Sequence, residues 1–322
     1  MKLAIVASAH GFGHLTRQLA MARALPPWVT PTVFTHAPVT VVQATLPAAR
    51  IVPWTADVGI AQQDGLTEDL VATRARLAQV VTDEAIDALA RALEGFDLVV
   101  VDAAPPALEA ARRACVRAVA VGNFDWAWTY RHYPSLVEWA DRFTQWQAPH
   151  PAIALWPGPG MHGFRSVHEV GLVGRVGRPA TLPERSVLVS FGGFGLDRLD
   201  QRLPRRPGLT WVLAPPMPRL ERDDVLYVTD VDYPDLVAGV DVVLTKPGYG
   251  IFAEAALAGT RVGWWPRGAF PEAPFLVDAL VARGDRELSP DLRELDALLD
   301  GPRVLPMPNA VDALVEAILR GV

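Results

Sequence analysis

Two histidines lie four residues apart in the glycine loop Ser8-Ala-His10-Gly11-Phe-Gly13-His14, directly after an apolar run at 2–7. An imidazole, titrating ordinarily at about pH 6.5, can take a proton from a hydroxyl. Asp102 closes a second apolar run at 96–102. A carboxylate there can orient the imidazole and stabilise its protonated form, as in any base-plus-orienter pair. The plainer alternatives are helix capping or packing for either histidine, and helix capping for Asp102.

A second group of chemistry-bearing residues lies downstream. Ser190-Phe-Gly192-Gly193-Phe-Gly presents backbone N–H groups beside a helix start, an environment suited to a diphosphate. Asp241-Val-Val-Leu-Thr-Lys246-Pro-Gly248-Tyr249-Gly250-Ile-Phe-Ala-Glu254 repeats the order of strand, glycine loop and helix. Glu254 then falls near the helix start, where it can accept both hydroxyls of a ribose or complement the helix dipole. The proline-braced loop at 266–275 carries one carboxylate, Glu272, able to bind sugar hydroxyls. Of the 30 basic residues only Lys2 and Lys246 are lysine, which draws attention to Lys246 inside the second glycine loop. A dinucleotide reading of the first loop fails: Thr16 stands where the third glycine belongs, and the second strand ends Phe34-Thr35-His36 with no acidic residue for a ribose.

These residues need sheets to hold them. A chain of 322 residues is about twice the usual domain size, so two cores are expected. Apolar runs too continuous to alternate, each followed by helical spacing such as Leu15, Leu19, Ala22 and Leu25, imply parallel strands covered on both faces. In the first half the pattern predicts strands at 2–7, 29–34, 50–53, 96–102 and 117–122. Helices are predicted across Leu15–Leu25, at 39–46, at 106–114 and, as one long amphipathic segment, at 67–93. Residues 149–178, rich in Gly and Pro, read as a connection. Strands follow at 186–191, 208–214, 225–228, 241–245 and 261–265, with helices at 250–258 and 309–319. The expected division is a first domain at 1–158, a linker at 159–180, a second domain at 181–308 and a C-terminal helix at 309–322 that packs back on the first domain. Two such domains place the C-terminal ends of their strands, where open α/β sheets bind ligands, on either side of a cleft.

Composition narrows the partners. Net charge is −6, from 36 acidic and 30 basic residues without long runs, so a nucleic-acid backbone finds no electrostatic footprint. Cys115 is the single cysteine and permits no internal disulfide. The first residues do not build a signal-type apolar region, and no uncharged apolar stretch approaches the ~18 residues of a membrane helix. A cytoplasmic protein is expected, with peripheral membrane contact left open. Five of the ten Trp lie between Trp126 and Trp156, together with Phe124, Tyr130, Tyr133 and Phe143. Such a group can stack on an acceptor, meet a lipid or partner chain, or fill a core. With no Asp-x-Asp pair in a suitable loop and no His/Cys cluster, neither a cofactor nor an essential metal is expected.

With these motifs in this order, the sequence resembles the GT-B glycosyltransferases. The stretch 246–254 is similar to the donor-nucleotide motif of the lipid II N-acetylglucosaminyltransferase and of UDP-glycosyltransferases generally. A nearer similarity is to the glycosyltransferase-like N-terminal region of L-arabinokinases. It is carried by His10-Gly-Phe-Gly-His14-x-Thr-Arg17, Asp102-x-x-Pro-Pro106, Gly122-Asn-Phe124-x-Trp126, Lys246-x-Gly-Tyr-Gly250 and Glu272-x-Pro-Phe275, and it spans nearly the whole chain. The resemblance implies an α/β GT-B fold: two doubly wound, Rossmann-like domains facing across a cleft, acceptor on the first and nucleotide sugar on the second. It matches His14 to the general base, Asp102 to its aspartate partner, Glu254 to the ribose carboxylate and Glu272 to the donor-sugar loop. Val228–Val231 falls where backbone amides read the nucleobase. Gly192, Gly193, Lys246, Gly248, Tyr249 and Gly250 surround the donor, and His10, Gly11, Gly13, Phe124, Asp125 and Trp126 line the acceptor side. Lys246, Arg17 and Arg267 are candidates for the diphosphate cation. The implied activity is inverting transfer from a nucleotide sugar, most simply a UDP-sugar, to a hydroxyl of a small or lipid-linked acceptor. A sugar-nucleotide epimerase or hydrolase, and a sugar-nucleotide sensor without turnover, are the alternatives.

Overall fold

In a computed structural model, which describes residues 1–8, 12–55, 57–63, 67–192 and 198–321, the apolar runs form two all-parallel sheets. The chain divides into two compact units. Residues 1–61, 69–173 and 309–322 form the first, and 62–68 and 174–308 form the second.

The first unit contains β1 (Lys2–Ala7), α1 (Gly13–Arg23), β2 (Thr30–Thr35), α2 (Val39–Thr45), β3 (Arg50–Pro53), α3 (Leu70–Val80), α4 (Asp83–Leu93) and β4 (Leu98–Asp102). It continues with α5 (Pro105–Arg113), β5 (Ala118–Gly122), α6 (Trp126–Arg131), α7 (Val137–Gln147), β6 (Pro151–Leu155) and β7 (Ser166–Val170). The strand order is β3-β2-β1-β4-β5-β6-β7, parallel throughout. Every residue of β4, β5 and β6 is buried, as expected of strands covered on both faces. Ala4, Val6, Val99 and Val101 face α4 and α5 through Ile86, Leu89, Ala107 and Leu108. Val33 and Ile51 face α1 and α2 through Leu15, Leu19 and Val42.

Two expectations change. The single helix at 67–93 is two helices. The Asp69 carboxylate accepts from Ala72 N at 2.8 Å and starts α3, while Thr82 Oγ1 accepts from Ala85 N at 3.2 Å and starts α4. The apolar spacing runs through the break, but the Thr82 cap, followed by acidic residues in the first turn, restarts the ladder. The Gly- and Pro-rich stretch 149–178 holds β6 and β7, the last two strands of the first sheet.

The second unit contains β8 (Ser186–Ser190), α8 (Leu199–Arg202), β9 (Thr210–Leu213), β10 (Val225–Tyr227), α9 (Tyr233–Gly239), β11 (Val242–Thr245) and α10 (Tyr249–Ala258). After these come β12 (Arg261–Trp264), α11 (Ala273–Ala282), β13 (Arg286–Glu287) and α12 (Leu295–Leu299). Its sheet runs β10-β9-β8-β11-β12-β13, also parallel, with Val187, Val189, Trp211, Leu213, Val242 and Leu244 in one core. The last helix, α13 (Val311–Arg320), buries Leu314, Ala317 and Ile318 in the first unit, where it packs beside α1 and β7.

Both sheets reverse direction of growth at their first strand. Ala7 of β1 pairs in register with Asp102 of β4, and Ser190 of β8 with Thr245 of β11. These strand ends are the topological switch points at which open α/β sheets bind ligands, and the chemistry-bearing loops of the sequence start from all four.

Candidate active site

Within the first unit, His14 is the second residue of α1, and Arg17 and Gln18 follow on the same face at i+3 and i+4. That face lies over the end of β4, so three side chains converge on the fully buried carboxylate of Asp102. His14 Nδ1 is 2.9 Å from Asp102 Oδ1. Arg17 donates from Nε to Oδ2 and from Nη2 to Oδ1, each at 2.6 Å, and Gln18 Nε2 donates to Oδ2 at 2.7 Å. Arg17 Nη1 donates to Asn123 Oδ1 at 2.6 Å, just beyond β5. Burial by itself would raise the Asp102 pKa; the Arg17 charge and its hydrogen bonds, with those of His14, outweigh burial and hold it at about 2. Asp102 is therefore an anion at the end of its strand, not a helix cap.

A second buried carboxyl, absent from the sequence reading, lies beside this group. Asp57, in the loop after β3, accepts a hydrogen bond from Ser8 Oγ at 2.6 Å. Burial, reinforced by the nearby Asp102 charge and opposed by hydrogen bonds from Ser8 and Trp126, raises its pKa to about 7. The loop is tied down where Tyr130 OH donates to Gly59 O at 2.7 Å. Nothing in the local pattern Trp54-Thr-Ala-Asp57-Val-Gly59 marks this placement.

The aromatic residues assigned to the acceptor side back the imidazole. Phe124 meets the His14 ring edge-on at 5.5 Å, and Trp126 lies 6.2 Å away with its indole N–H donated to Ala103 O. Trp126, Tyr130 and Phe143 are buried, so core packing accounts for this part of the cluster, whereas Trp156 is 43 % exposed. Asp125 caps α6 by accepting from Trp128 N at 2.8 Å, and also accepts from Gln147 Nε2 and His162 N. Gly13 opens α1. His10, Gly11 and Gly193 lie outside the described residues.

In the second unit, Gly192 follows β8 with φ +72°, a left-handed conformation that glycine adopts without strain. Gly248 precedes α10, and Tyr249 and Gly250 are its first two residues. Glu254 is the sixth residue of α10 and 5 % exposed, too far along for compensation of the helix N-terminus. Arg175 reaches Glu254 Oε1 with Nε at 2.8 Å and Nη2 at 2.7 Å. Burial still outweighs the Arg175 charge and raises the Glu254 pKa. Tyr233, at the start of α9, donates to Ser190 Oγ, and burial raises its pKa to about 12. Lys246 is half-buried just past β11, and Val231 lies in the turn before α9. Glu272 is 4 % exposed at the start of α11, and the Arg267 guanidinium lies 3.8 Å over the Phe270 ring. Arg17, 1 % exposed and bound to Asp102 and Asn123, is removed from the candidates for a diphosphate cation. Among the described residues no three His, Cys, Asp or Glu side chains gather in a metal-binding group, and no helix is long and apolar enough to cross a membrane.

No family model matches the chain. The L-arabinokinase of Arabidopsis thaliana is 29 % identical over 300 residues, which cover 85 % of this chain and 29 % of that protein. The chain thus spans less than a third of the length of this curated relative. Among solved structures, the spinosyn forosaminyltransferase SpnP superposes with a TM-score of 0.64 at 17 % identity, covering 100 % of this chain and 94 % of that one. The glycotransferase of kitacinnamycin gives 0.62 at 17 % identity, with coverage of 99 % and 94 %. Arabidopsis thaliana UGT89C1 complexed with UDP gives 0.62 at 13 % identity, again covering 99 % and 94 %, and that enzyme has also been solved with UDP-L-rhamnose and with quercetin. The fold is GT-B. Its two Rossmann-like sheets, with the order 3-2-1-4-5-6 repeated in each unit, are those of the glycosyltransferases it superposes on.

Proposed function

We propose that the chain is an inverting glycosyltransferase that moves a sugar from a UDP-sugar to a hydroxyl of a small or lipid-linked acceptor, with His14 as general base. The observation that carries this reading is the 2.9 Å contact of His14 with the buried Asp102 anion at the first sheet's switch point. The second sheet's switch point supports it, since Glu254 sits on the helix that leaves that point. The GT-B fold adds support, as do neighbours solved with UDP and UDP-L-rhamnose.

In this mechanism the acceptor O–H proton passes to His14 Nε2 while the oxygen attacks the anomeric carbon. The bond from that carbon to the diphosphate oxygen breaks on the opposite face, so the configuration inverts and UDP leaves with the bonding pair. Backbone N–H groups near Gly192, Gly248 and Gly250 would meet the developing charge; preorganised donors of this kind are worth about 3–4 kcal/mol each. Glu254 would take the ribose hydroxyls, and Glu272 the hydroxyls of the donor sugar.

A thermal-shift panel of free nucleotides and nucleotide sugars, followed by UDP release over time with a hydroxylated acceptor, tests the proposal. A selective rise in Tm with UDP-sugars and time-dependent release are expected, and no shift with any nucleotide would overturn it. One observation favours a second reading, a sugar-nucleotide sensor. Arg17 already cancels the Asp102 charge, which leaves the carboxylate less able to support an imidazolium. Donor binding without release would select it.

A further inference from the structure

We infer that Arg17 is the positioning residue of the His14–Asp102 pair: its fork holds in place the carboxylate that decides which ring nitrogen of His14 carries the proton. The inference rests on the glycosyltransferase reading for its catalytic consequence but not for its geometry. His14 Nδ1 has two neighbours at the same distance, Asp102 Oδ1 and Arg17 Nη2, each at 2.9 Å. A carboxylate oxygen only accepts and a guanidinium only donates. Nδ1 can therefore satisfy one of them and not the other. If Nδ1–H donates to Oδ1, Nε2 keeps its lone pair and can act as a base. If Nδ1 accepts from Nη2, the proton sits on Nε2 and the base is lost.

The bond inventory selects the first arrangement. A carboxylate has about four acceptor sites. Arg17 Nε, Arg17 Nη2 and Gln18 Nε2 fill three of those on Asp102, and His14 Nδ1–H supplies the fourth. The anion is also a stronger acceptor than a neutral imidazole nitrogen. What fixes Oδ1 against Nδ1 is the side-on fork of Arg17, a geometry that lysine cannot reproduce. The fork is itself anchored: Nη1 is held by Asn123 Oδ1, and Asn123 Nδ2 donates to Pro157 O at 3.3 Å, which orients the amide with its oxygen toward Arg17.

The test is nitrogen NMR of protein labelled with ¹⁵N-histidine, compared across wild type, Arg17→Gln, Arg17→Lys and Asn123→Ala. Wild-type His14 is expected as the Nδ1–H tautomer, and both Arg17 variants as a mixture. Lysine is expected to fail as glutamine does, because the fork and not the charge is lost. With turnover established, kcat of the Arg17 variants falls about tenfold or more while KM for the donor stays within about twofold. Asn123→Ala leaves the Arg17–Asp102 ion pair in place and loosens the fork, so tautomer mixing is expected there even if an Arg17 variant fails to fold. A wild-type Nε2–H tautomer, or a pure Nδ1–H signal retained in the folded variants, overturns the inference. The tautomer is read in the resting protein, so failure of the transferase reading would leave it measurable and would register separately, as absence of turnover.

Discussion

Asp57 and Asp102 lie within electrostatic reach of one another at the C-terminal edge of the first sheet, and their surroundings drive the two carboxyls apart. Asp102 is buried against the Arg17 guanidinium and is held at about 2; Asp57 is buried against the hydroxyl of Ser8 and is raised to about 7. One remains an anion throughout the neutral range while the other changes charge within it. Separated titrations of this kind recur at proton-moving sites and in structural ion-pair networks alike.

The Asp57 shift makes stability depend on pH with a defined sign. In the unfolded chain this group titrates near 3.8, and in the folded protein near 7. Between those values the native state binds more protons than the unfolded state, so the contribution is fully favourable below 3.8 and is lost as pH rises through 7. The loss is at most about 4 kcal/mol. Asp57→Asn keeps an acceptor for Ser8 Oγ and removes the titration, so urea unfolding at pH 8 should show the variant more stable by roughly 1–4 kcal/mol. The gain should disappear near pH 4. Equal stability of the two proteins at pH 8 would contradict the burial argument.

Glu254 and Arg175 form one buried ion pair, so substitution of either lowers stability, and only the loss of Glu254 should also remove a donor contact. Glu254→Ala removes the carboxylate assigned to the ribose and should weaken calorimetric UDP binding by about tenfold or more, the effect of losing a charged hydrogen-bond partner. Arg175→Met instead leaves a buried carboxylate without its cation and should lower stability by about 3 kcal/mol. An unchanged Kd in Glu254→Ala would remove this residue from the nucleotide site.

His14→Ala addresses the base. If the imidazole acts as proposed, on the acceptor proton and not on the donor, kcat should fall by roughly a thousandfold while affinity for the UDP-sugar changes little. A turnover number near that of wild type would end the assignment.

The sequence carries a good part of this arrangement, and the remainder is hidden for physical reasons. β1, β4, β8 and β11 are legible because a strand buried on both faces must be continuously apolar, and the loops that leave them are marked by glycine. Since those strands are the switch points of the two sheets, His14, Asp102 and the start of α10 could be placed at sheet edges without knowing the pairing. The spacing of His14, Arg17 and Gln18 on one helical face is equally visible, but their convergence on Asp102 is not, because it depends on where α1 crosses β4. Asp57 is invisible for a stronger reason: the path of an irregular loop across a sheet edge leaves no periodicity. β6 and β7 were masked by the Gly and Pro residues that flank them, and the α3–α4 break by an amphipathic spacing that continues through Thr82.

Gly158 links that masked segment to the site and supports a last prediction. A Cβ at Gly158 would lie 2.1 Å from Asn123 O and 2.9 Å from Asn123 Cβ, contacts with backbone that no rotamer change can relieve. Gly158→Ala must therefore displace Asn123, whose side chain holds Arg17 Nη1. Overpacking of this kind costs about 1–3 kcal/mol. Gly95→Ala provides the control: at φ +80° with nothing within 4 Å of the added carbon, it carries backbone strain of about 1 kcal/mol but touches no part of the Arg17 network. Both variants should lower Tm. Only Gly158→Ala should also disturb the His14 tautomer and reduce transfer, because only there does the strain travel through Asn123 to the Arg17 fork. Equal transfer rates in the two variants would show that the Asn123 anchor is structural and has no hold on the imidazole.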